Sequence, residues 1–175
     1  MSLFFISRGK SPDTERTRKR YRVRLNMEGR MKGFVDDIEE LTKNNTDFRR
    51  VLYTAGKMQL VLMALQPGED TGAEVHDEHD QFFRIERGKG KIWIDGVQTK
   101  IKRDMAVIVP AGARHNVKNT GKKVLKLYTI YATPEHAEGT VHATKPEADE
   151  SDEHFDGHTT ERQTEHQPEH QGAPA

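Results

Sequence analysis

The chain reads GEDTGAEVHDEHDQFFRIERG over residues 68–88 and PAGARHNVKN over residues 110–119, and these two stretches decide its fold. Their spacings are Gly68-x5-Glu74-x-His76-x4-Gln81-x6-Gly88 and Pro110-x-Gly112-x2-His115-x3-Asn119. Glycine and proline thus bracket two histidines, a glutamate and a glutamine at fixed intervals.

The four polar side chains of these motifs are predicted to converge. In a strand, residues i and i+2 face the same side, so Glu74 and His76 project together. Gln81 alternates with apolar residues that face inward, and a buried amide needs a polar partner. His115 follows a Pro-x-Gly turn at the start of a strand. Two imidazoles, a carboxylate and an amide oxygen together suit a divalent transition metal.

The middle of the chain has the pattern of an antiparallel β-protein. From residue 48 to 131 the hydrophobic period is two, and turn signals recur about every 8–12 residues, which indicates a sandwich or barrel of seven to nine strands. The predicted extended segments are residues 51–53, 58–65, 72–76, 81–86, 91–94, 97–102, 105–109, 115–117 and 124–131. Asp95-Gly96 is a strong two-residue hairpin signal.

A short amphipathic helix is predicted ahead of the strands, over residues 33–43. Phe34, Ile38 and Leu41 recur at helical spacing, and Asn44-Asn45 ends the pattern. A helix this short is unstable alone in water, so it must pack on the barrel.

The two motifs resemble those of the cupin superfamily at every gap length. The resemblance implies an all-β double-stranded β-helix, a jelly-roll barrel, over residues 31–146 with its motif core at 48–132. It also implies one divalent transition metal, Zn, Fe, Mn or Ni, held by Glu74, His76, Gln81 and His115. Small cupins commonly dimerise, which implies a homodimer here, with residues 60–65 and the 33–43 helix as candidate interfaces.

Three residues depart from the usual cupin pattern. Glu74 stands where the family has a histidine, and Gln81 where it has a glutamate, so the ligand count and single negative charge persist while the carboxylate has moved. Asp104 replaces a glycine, and aspartate tolerates the left-handed turn expected there.

The zero net charge, with 28 basic and 28 acidic residues, conceals charged ends. Residues 1–30 have a net charge of +6 and residues 147–175 a net charge of −8, and both are predicted to be disordered tails. The basic arm has two further interpretations: a nucleic-acid contact, which is the less favoured one because charge runs are usually only solvated, or an extension upstream of a start at Met27 or Met31.

Composition excludes several classes of protein. Without cysteine, disulfides and thiolate metal sites are impossible. The N-terminus has only four consecutive apolar residues, and neither a secretory signal nor a membrane segment is found, so a cytoplasmic protein without membrane contact is predicted.

The other histidines are interpreted as lying outside the metal site. His79 is predicted to be a solvent-exposed turn residue. His136 and His142 follow the last strand, where they could reach the mouth of the barrel. The acidic tail contains four more, which can bind metal loosely: His154, His158, His166 and His170.

Three functions follow as hypotheses. The resemblance is strongest to small single-domain cupins of the mannose-6-phosphate isomerase-like type, which favours a metalloenzyme acting on a small sugar, sugar acid or keto compound by isomerase or lyase chemistry. Glu74, if it is not a ligand, is the candidate general base. The alternatives are a non-haem iron dioxygenase and a non-catalytic, metal-dependent small-molecule sensor.

Overall fold

The structure is a computed structural model that describes residues 33–161. It has nine strands: β1 Arg49–Thr54, β2 Gln59–Leu65, β3 Asp80–Arg87, β4 Lys89–Ile94, β5 Val97–Lys102, β6 Ala106–Val109, β7 His115–Asn119, β8 Leu125–Ala132 and β9 Val141–His142. Helix α1 is Ile38–Asn44 and helix α2 is Lys145–Asp149. The basic arm, residues 1–30, lies outside the described residues.

The strands form two antiparallel sheets, which confirms the predicted jelly-roll class. The larger sheet has the order β6-β3-β8-β2-β1-β9 and the smaller has the order β5-β4-β7. Buried residues of both sheets form one core, including Phe83, Ile85 and Leu127 from the larger sheet and Ile92 and Val117 from the smaller. Alternation along each strand gives every sheet an inner apolar face, so the space between the sheets fills with side chains.

The predicted turns are present. Asp95 and Gly96 both have positive φ, at 46° and 82°, and Ile94 pairs with Val97 across the hairpin. Asp104 has a φ of 70°, so the aspartate adopts the left-handed conformation that the sequence predicts. Gly88 has a φ of 92°, and a Cβ there would lie 2.9 Å from the Val124 carbonyl oxygen, which explains the glycine that ends the first motif.

Helix α1 begins later than predicted, at Ile38. The Asp37 side chain accepts a hydrogen bond from the Glu40 amide at 2.9 Å, so Asp37 caps the helix and stops it extending toward residue 33. The helix contacts β2, β3 and β8. Beyond its C-terminus, the ammonium of Lys126 donates to the Asn45 carbonyl. No helix within residues 33–161 is long and apolar enough to span a membrane.

The prediction that residues 147–175 are a disordered tail is wrong for residues 147–161. Ala148 of α2 belongs to the core, and the carboxylate of Glu153 accepts hydrogen bonds from His136 and from the Ala137 amide at 2.9 and 2.8 Å. Acidic residues read as solvating charge therefore have fixed partners on the barrel. Residues 162–175 lie outside the described residues.

The apolar run at residues 60–65 is an interior strand rather than an open interface. It forms most of β2, which lies between β1 and β8, and Val61 to Leu65 are all buried within this chain. The run is apolar because both faces of a central strand are covered. The homodimer itself stays a prediction.

Candidate metal centre

Glu74 and His115 lie opposite each other because two backbone hydrogen bonds join them. The Glu74 amide donates to the His115 carbonyl and the His115 amide donates to the Glu74 carbonyl, both at 2.9 Å. This isolated bridge links the extended segment before β3 to the first residue of β7. The two motifs, distant in sequence, therefore meet.

His76 joins them, so that three of the four predicted ligands form one cluster. Oε2 of Glu74 lies 3.5 Å from Nε2 of His76 and 3.9 Å from Nε2 of His115. One ligand atom from each residue lies within 4.8 Å of the other two. Ligands held at about 2.0–2.2 Å by a tetrahedral Zn²⁺ are about 3.3–3.5 Å apart, so a small contraction would complete the geometry.

The tautomer of His115 suits a ligand. Its Nδ1 lies 3.1 Å from the Ala113 carbonyl oxygen, which can only accept, so Nδ1 carries the proton. Nε2 then presents its lone pair toward Glu74. Orientation of a ligating imidazole by a hydrogen bond at the other nitrogen is the usual arrangement in metal sites.

Three buried atoms of the motif residues lack a hydrogen-bond partner: Nε2 of His76, Nε2 of His115 and Oε1 of Gln81. The Gln81 amide nitrogen donates to Thr129 Oγ1 at 3.1 Å, which leaves the amide oxygen free. Buried polar atoms are rarely left unpaired, and these are donor atoms that a divalent metal binds. The residues therefore fit a metal. Gln81 is 2% exposed, as its inward-facing position predicts, but its role as a ligand stays a prediction.

His79 is not the solvent-exposed turn residue that the sequence predicts. It is 7% exposed, and its ring stacks on His76 with centroids 4.5 Å apart. The turn brings His79 back over the first motif before β3 begins, and Tyr131 closes over it at a centroid distance of 5.6 Å.

Residues beyond the last long strand complete the surroundings of the cluster. Glu135 places its carboxylate oxygens 3.8 Å from Nδ1 of His76 and 3.6 Å from Nε2 of His79. His136 is buried beside Tyr131, with its Nε2 3.4 Å from the tyrosine hydroxyl. His142 is buried too, but it is not one of the described residues whose potential ligand atoms cluster with His76. The polar pair Glu135-His136, shortly after β8, was the signal in the sequence for this contribution.

An arginine that the sequence analysis missed stands beside the cluster. One terminal nitrogen of Arg49 lies 3.9 Å from Glu74 and the other lies 3.9 Å from Glu153. Its side chain is only 11% exposed. Arg49 is the first residue of β1, and nothing in the local sequence distinguished it from the adjacent Arg50.

Burial and neighbouring charge separate the pKa values of the histidines. Burial lowers the pKa of His76, but the carboxylates of Glu74 and Glu135 outweigh it and the net pKa is raised. Burial lowers the pKa of His115, and burial together with the adjacent His76 lowers that of His79. His79 and His115 are therefore neutral at pH 7, the form in which imidazole binds metals.

Comparisons with known proteins agree with this fold. A family model of the cupin domain matches residues 61–131. YrkC of Bacillus subtilis, described as an uncharacterized protein, is 47% identical over 123 residues, covering 67% of this chain and 66% of YrkC. L612 of Acanthamoeba polyphaga mimivirus, also described as uncharacterized, is 37% identical over 120 residues, covering 66% of this chain and 74% of L612.

A solved structure is also similar to this chain in both sequence and fold. The crystal structure of BH2720 from Bacillus halodurans is 45% identical with a TM-score of 0.68, covering 69% of this chain and 96% of that one. Sequence, fold and the converging motif residues agree, and the chain belongs to the cupin superfamily.

Proposed function

We propose that this cupin is a metalloenzyme that acts on a small oxygenated substrate by isomerase or lyase chemistry. The observation that carries the proposal is the cluster of Glu74, His76 and His115, whose two imidazoles turn unpartnered nitrogens toward one carboxylate. These residues, with Gln81, would hold the metal. A divalent ion held there supplies Lewis acidity that polarises a carbonyl oxygen or acidifies bound water.

Arg49 supports a substrate that carries a carboxylate or phosphate group. Its guanidinium lies at the edge of the cluster, and the distances of 3.9 Å to both carboxylates exceed those of hydrogen bonds. A planar guanidinium recognises a carboxylate or phosphate through paired N–H groups. A sugar acid or sugar phosphate suits this charge, in line with the mannose-6-phosphate isomerase-like type.

Two side chains beside the cluster have further roles: one moves a proton and the other excludes water. Glu74, if it does not ligate, is positioned beside the imidazoles as a general base. Tyr131 is buried with its ring edge-on to His76 at a centroid distance of 5.7 Å, and burial raises the pKa of its hydroxyl far above the ordinary range. Tyr131 therefore stays protonated and keeps water from that side of the site.

A second candidate is a non-haem iron dioxygenase. The observation that favours it is the ligand set itself, because two histidines and one carboxylate with open positions form the facial triad of such enzymes. The two candidates differ in whether the reaction consumes oxygen.

Metal content of the purified full-length protein tests the proposal. We expect one metal ion at the motif residues, lost in His76→Ala and in His115→Ala and kept in His158→Ala, whose side chain is exposed. Sugar acids and sugar phosphates are then offered to the metal-loaded protein. Turnover without oxygen uptake supports the isomerase or lyase, and substrate-dependent oxygen uptake supports the dioxygenase.

A folded wild type that binds no metal would reject both enzymes. The converging residues would then form a polar pocket, and the small-molecule binding module would be the function to pursue.

A further inference from the structure

A second group of potential ligands adjoins the first and shares one residue with it. His76, His79 and Glu135 each offer a ligand atom within 4.8 Å of the other two. Two of these residues come from the first motif and its turn, and the third comes from the segment after β8. We propose that His76, His79 and Glu135 form a second cation site for a divalent transition metal.

The distances favour an ion over direct hydrogen bonds. Oε1 of Glu135 lies 3.8 Å from Nδ1 of His76, and Oε2 lies 3.6 Å from Nε2 of His79. A charge-assisted hydrogen bond between such atoms would be about 2.7–2.9 Å long. Ligands of one tetrahedral metal are separated by about 3.3–3.5 Å. Both separations are slightly longer than this spacing, so a small contraction toward one ion would bring the carboxylate and the two rings to it.

His79 supplies an independent observation. Its side chain is 6% exposed, and Nε2 is buried without a hydrogen-bond partner. Leaving a buried ring nitrogen unpaired is unfavourable, and coordination would remove that cost. The stacked rings of His76 and His79 and the covering ring of Tyr131 hold the nitrogen in place.

His76 lies between the two groups with one ring nitrogen toward each. Nε2 is 3.5 Å from Glu74, and Nδ1 is 3.8 Å from Glu135. When both nitrogens bind ions, the N–H proton of the neutral ring leaves to solvent and the freed electron pair forms the second bond. The carboxylates of Glu74 and Glu135 offset part of the added positive charge. Two imidazoles and one carboxylate suit Zn²⁺, Cu²⁺, Co²⁺ or Ni²⁺.

Copper titration of the metal-free full-length chain tests this inference. The background variant has alanine in place of four tail histidines: His154, His158, His166 and His170. Copper content is measured by mass spectrometry, and magnetic coupling between the two copper ions is measured by electron paramagnetic resonance. We expect about two equivalents per chain, with the isolated-ion signal weakening as the second equivalent binds because one imidazole links both ions.

His79→Ala and Glu135→Gln should each remove about one equivalent and restore the isolated-ion signal. Glu78→Gln, an exposed carboxylate of the same turn, is the matched control and should change nothing. His79→Gln keeps a polar side chain of similar size, and thermal melting shows which variants remain folded.

The second site and the proposed function both depend on His76. Variants of His115, which belongs to the first site alone, therefore distinguish the failure of one proposal from the failure of the other. One equivalent in all, lost in His115→Ala and kept in His79→Ala, overturns the second site and leaves the proposed function standing. One equivalent lost in His79→Ala and kept in His115→Ala supports the second site and rejects the first. Two equivalents that survive both His79→Gln and Glu135→Gln also overturn the inference.

Discussion

The imidazole rings of His76 and His79 stack at a centroid distance of 4.5 Å with their planes 25° apart. Two protonated imidazoles in such contact would repel each other, so the pair favours at most one positive charge. The Glu74 carboxylate raises the pKa of His76, whereas burial and the charge of His76 lower the pKa of His79. The stack therefore assigns different protonation to two residues that are three positions apart.

Histidine titration of the metal-free protein should show this order. As the pH falls, His76 protonates first, above the ordinary value of about 6.5, and His79 and His115 titrate below that value. Nuclear magnetic resonance of the ring protons measures each pKa, with His76→Gln and His79→Gln giving the assignments. A pKa of His79 above that of His76 would contradict the stacking argument.

Stability should fall in mild acid, and His142 should be one cause. Burial and the charge of Arg49 lower the pKa of His142. Below about pH 6.5 the unfolded chain binds a proton there that the folded chain does not, so the unfolding free energy decreases as pH falls through this range. Urea unfolding at pH 7.5 and 5.5 measures the loss.

His142→Gln should make that loss smaller in the metal-free protein. The exposed His158 provides the control, because His158→Gln should leave the pH dependence nearly as it was. An identical slope in wild type and His142→Gln would show that other groups account for the dependence.

Gln81→Glu should strengthen metal binding while destabilising the metal-free protein. The substitution puts a carboxylate in a buried position where Thr129 is the hydrogen-bond partner. We expect a loss of about 1–3 kcal/mol in unfolding free energy without metal and an increase in affinity on the order of tenfold with it. Urea unfolding and metal titration measure both quantities.

Gln81→Leu should weaken metal binding. Gln98→Glu, at an exposed position, should change neither the unfolding free energy nor the metal affinity. Unchanged affinity in both Gln81 variants would remove Gln81 from the ligand set.

A chain that ends at residue 146 should be less stable than one that ends at residue 161. The shorter chain loses the bonds from Glu153 to His136 and Ala137 and the bond from the Phe155 amide to the Glu135 carbonyl. We expect a difference of about 2–4 kcal/mol in unfolding free energy, measured in urea.

The pKa of Tyr53 provides a second measurement on the same two chains. Burial and the Glu161 carboxylate raise the pKa of Tyr53 to about 12, and the shorter chain lacks Glu161. Tyrosine ionisation followed by absorbance should therefore occur at lower pH in the chain that ends at 146. Equal stability and equal titration would show that residues 147–161 are dispensable to the barrel.

Gly90→Ala should destabilise the smaller sheet. An added Cβ would lie 2.3 Å from the Lys118 carbonyl oxygen, where β4 pairs with β7. The strands must shift to admit it, at about 2–4 kcal/mol of unfolding free energy. Gly56→Ala is the matched control, because nothing lies within 4 Å of its added Cβ and it should change stability by less than about 1 kcal/mol. Equal effects in the two variants would contradict the close approach.

Local chemistry made several elements predictable. Positive φ at Asp95, Gly96 and Asp104 follows from residue types that tolerate it, and β5 has the predicted bounds because its turns are strong at both ends. The shared face of Glu74 and His76 was predictable because strand alternation depends on the local backbone. That His115 joins them was expected from the resemblance to the two cupin motifs, since a long-range bridge brings Glu74 and His115 together.

The errors concern residues whose environment is set by distant parts of the chain. His79 looks like a turn residue until Tyr131 and Glu135 cover it, and the acids of the C-terminal segment look like solvating charge until Glu153 meets His136. Burial of a polar side chain depends on partners that sequence proximity does not reveal.

The order of the strands along the chain, the turns and the motif residues of the candidate metal centre followed from the amino-acid sequence, since alternation and backbone conformation are local properties. The presence of Arg49, His79 and Glu135 beside that centre became evident only from the three-dimensional packing of the chain. Their positions result from sheet pairing and from the return of the chain after β8, which bring together side chains far apart in sequence.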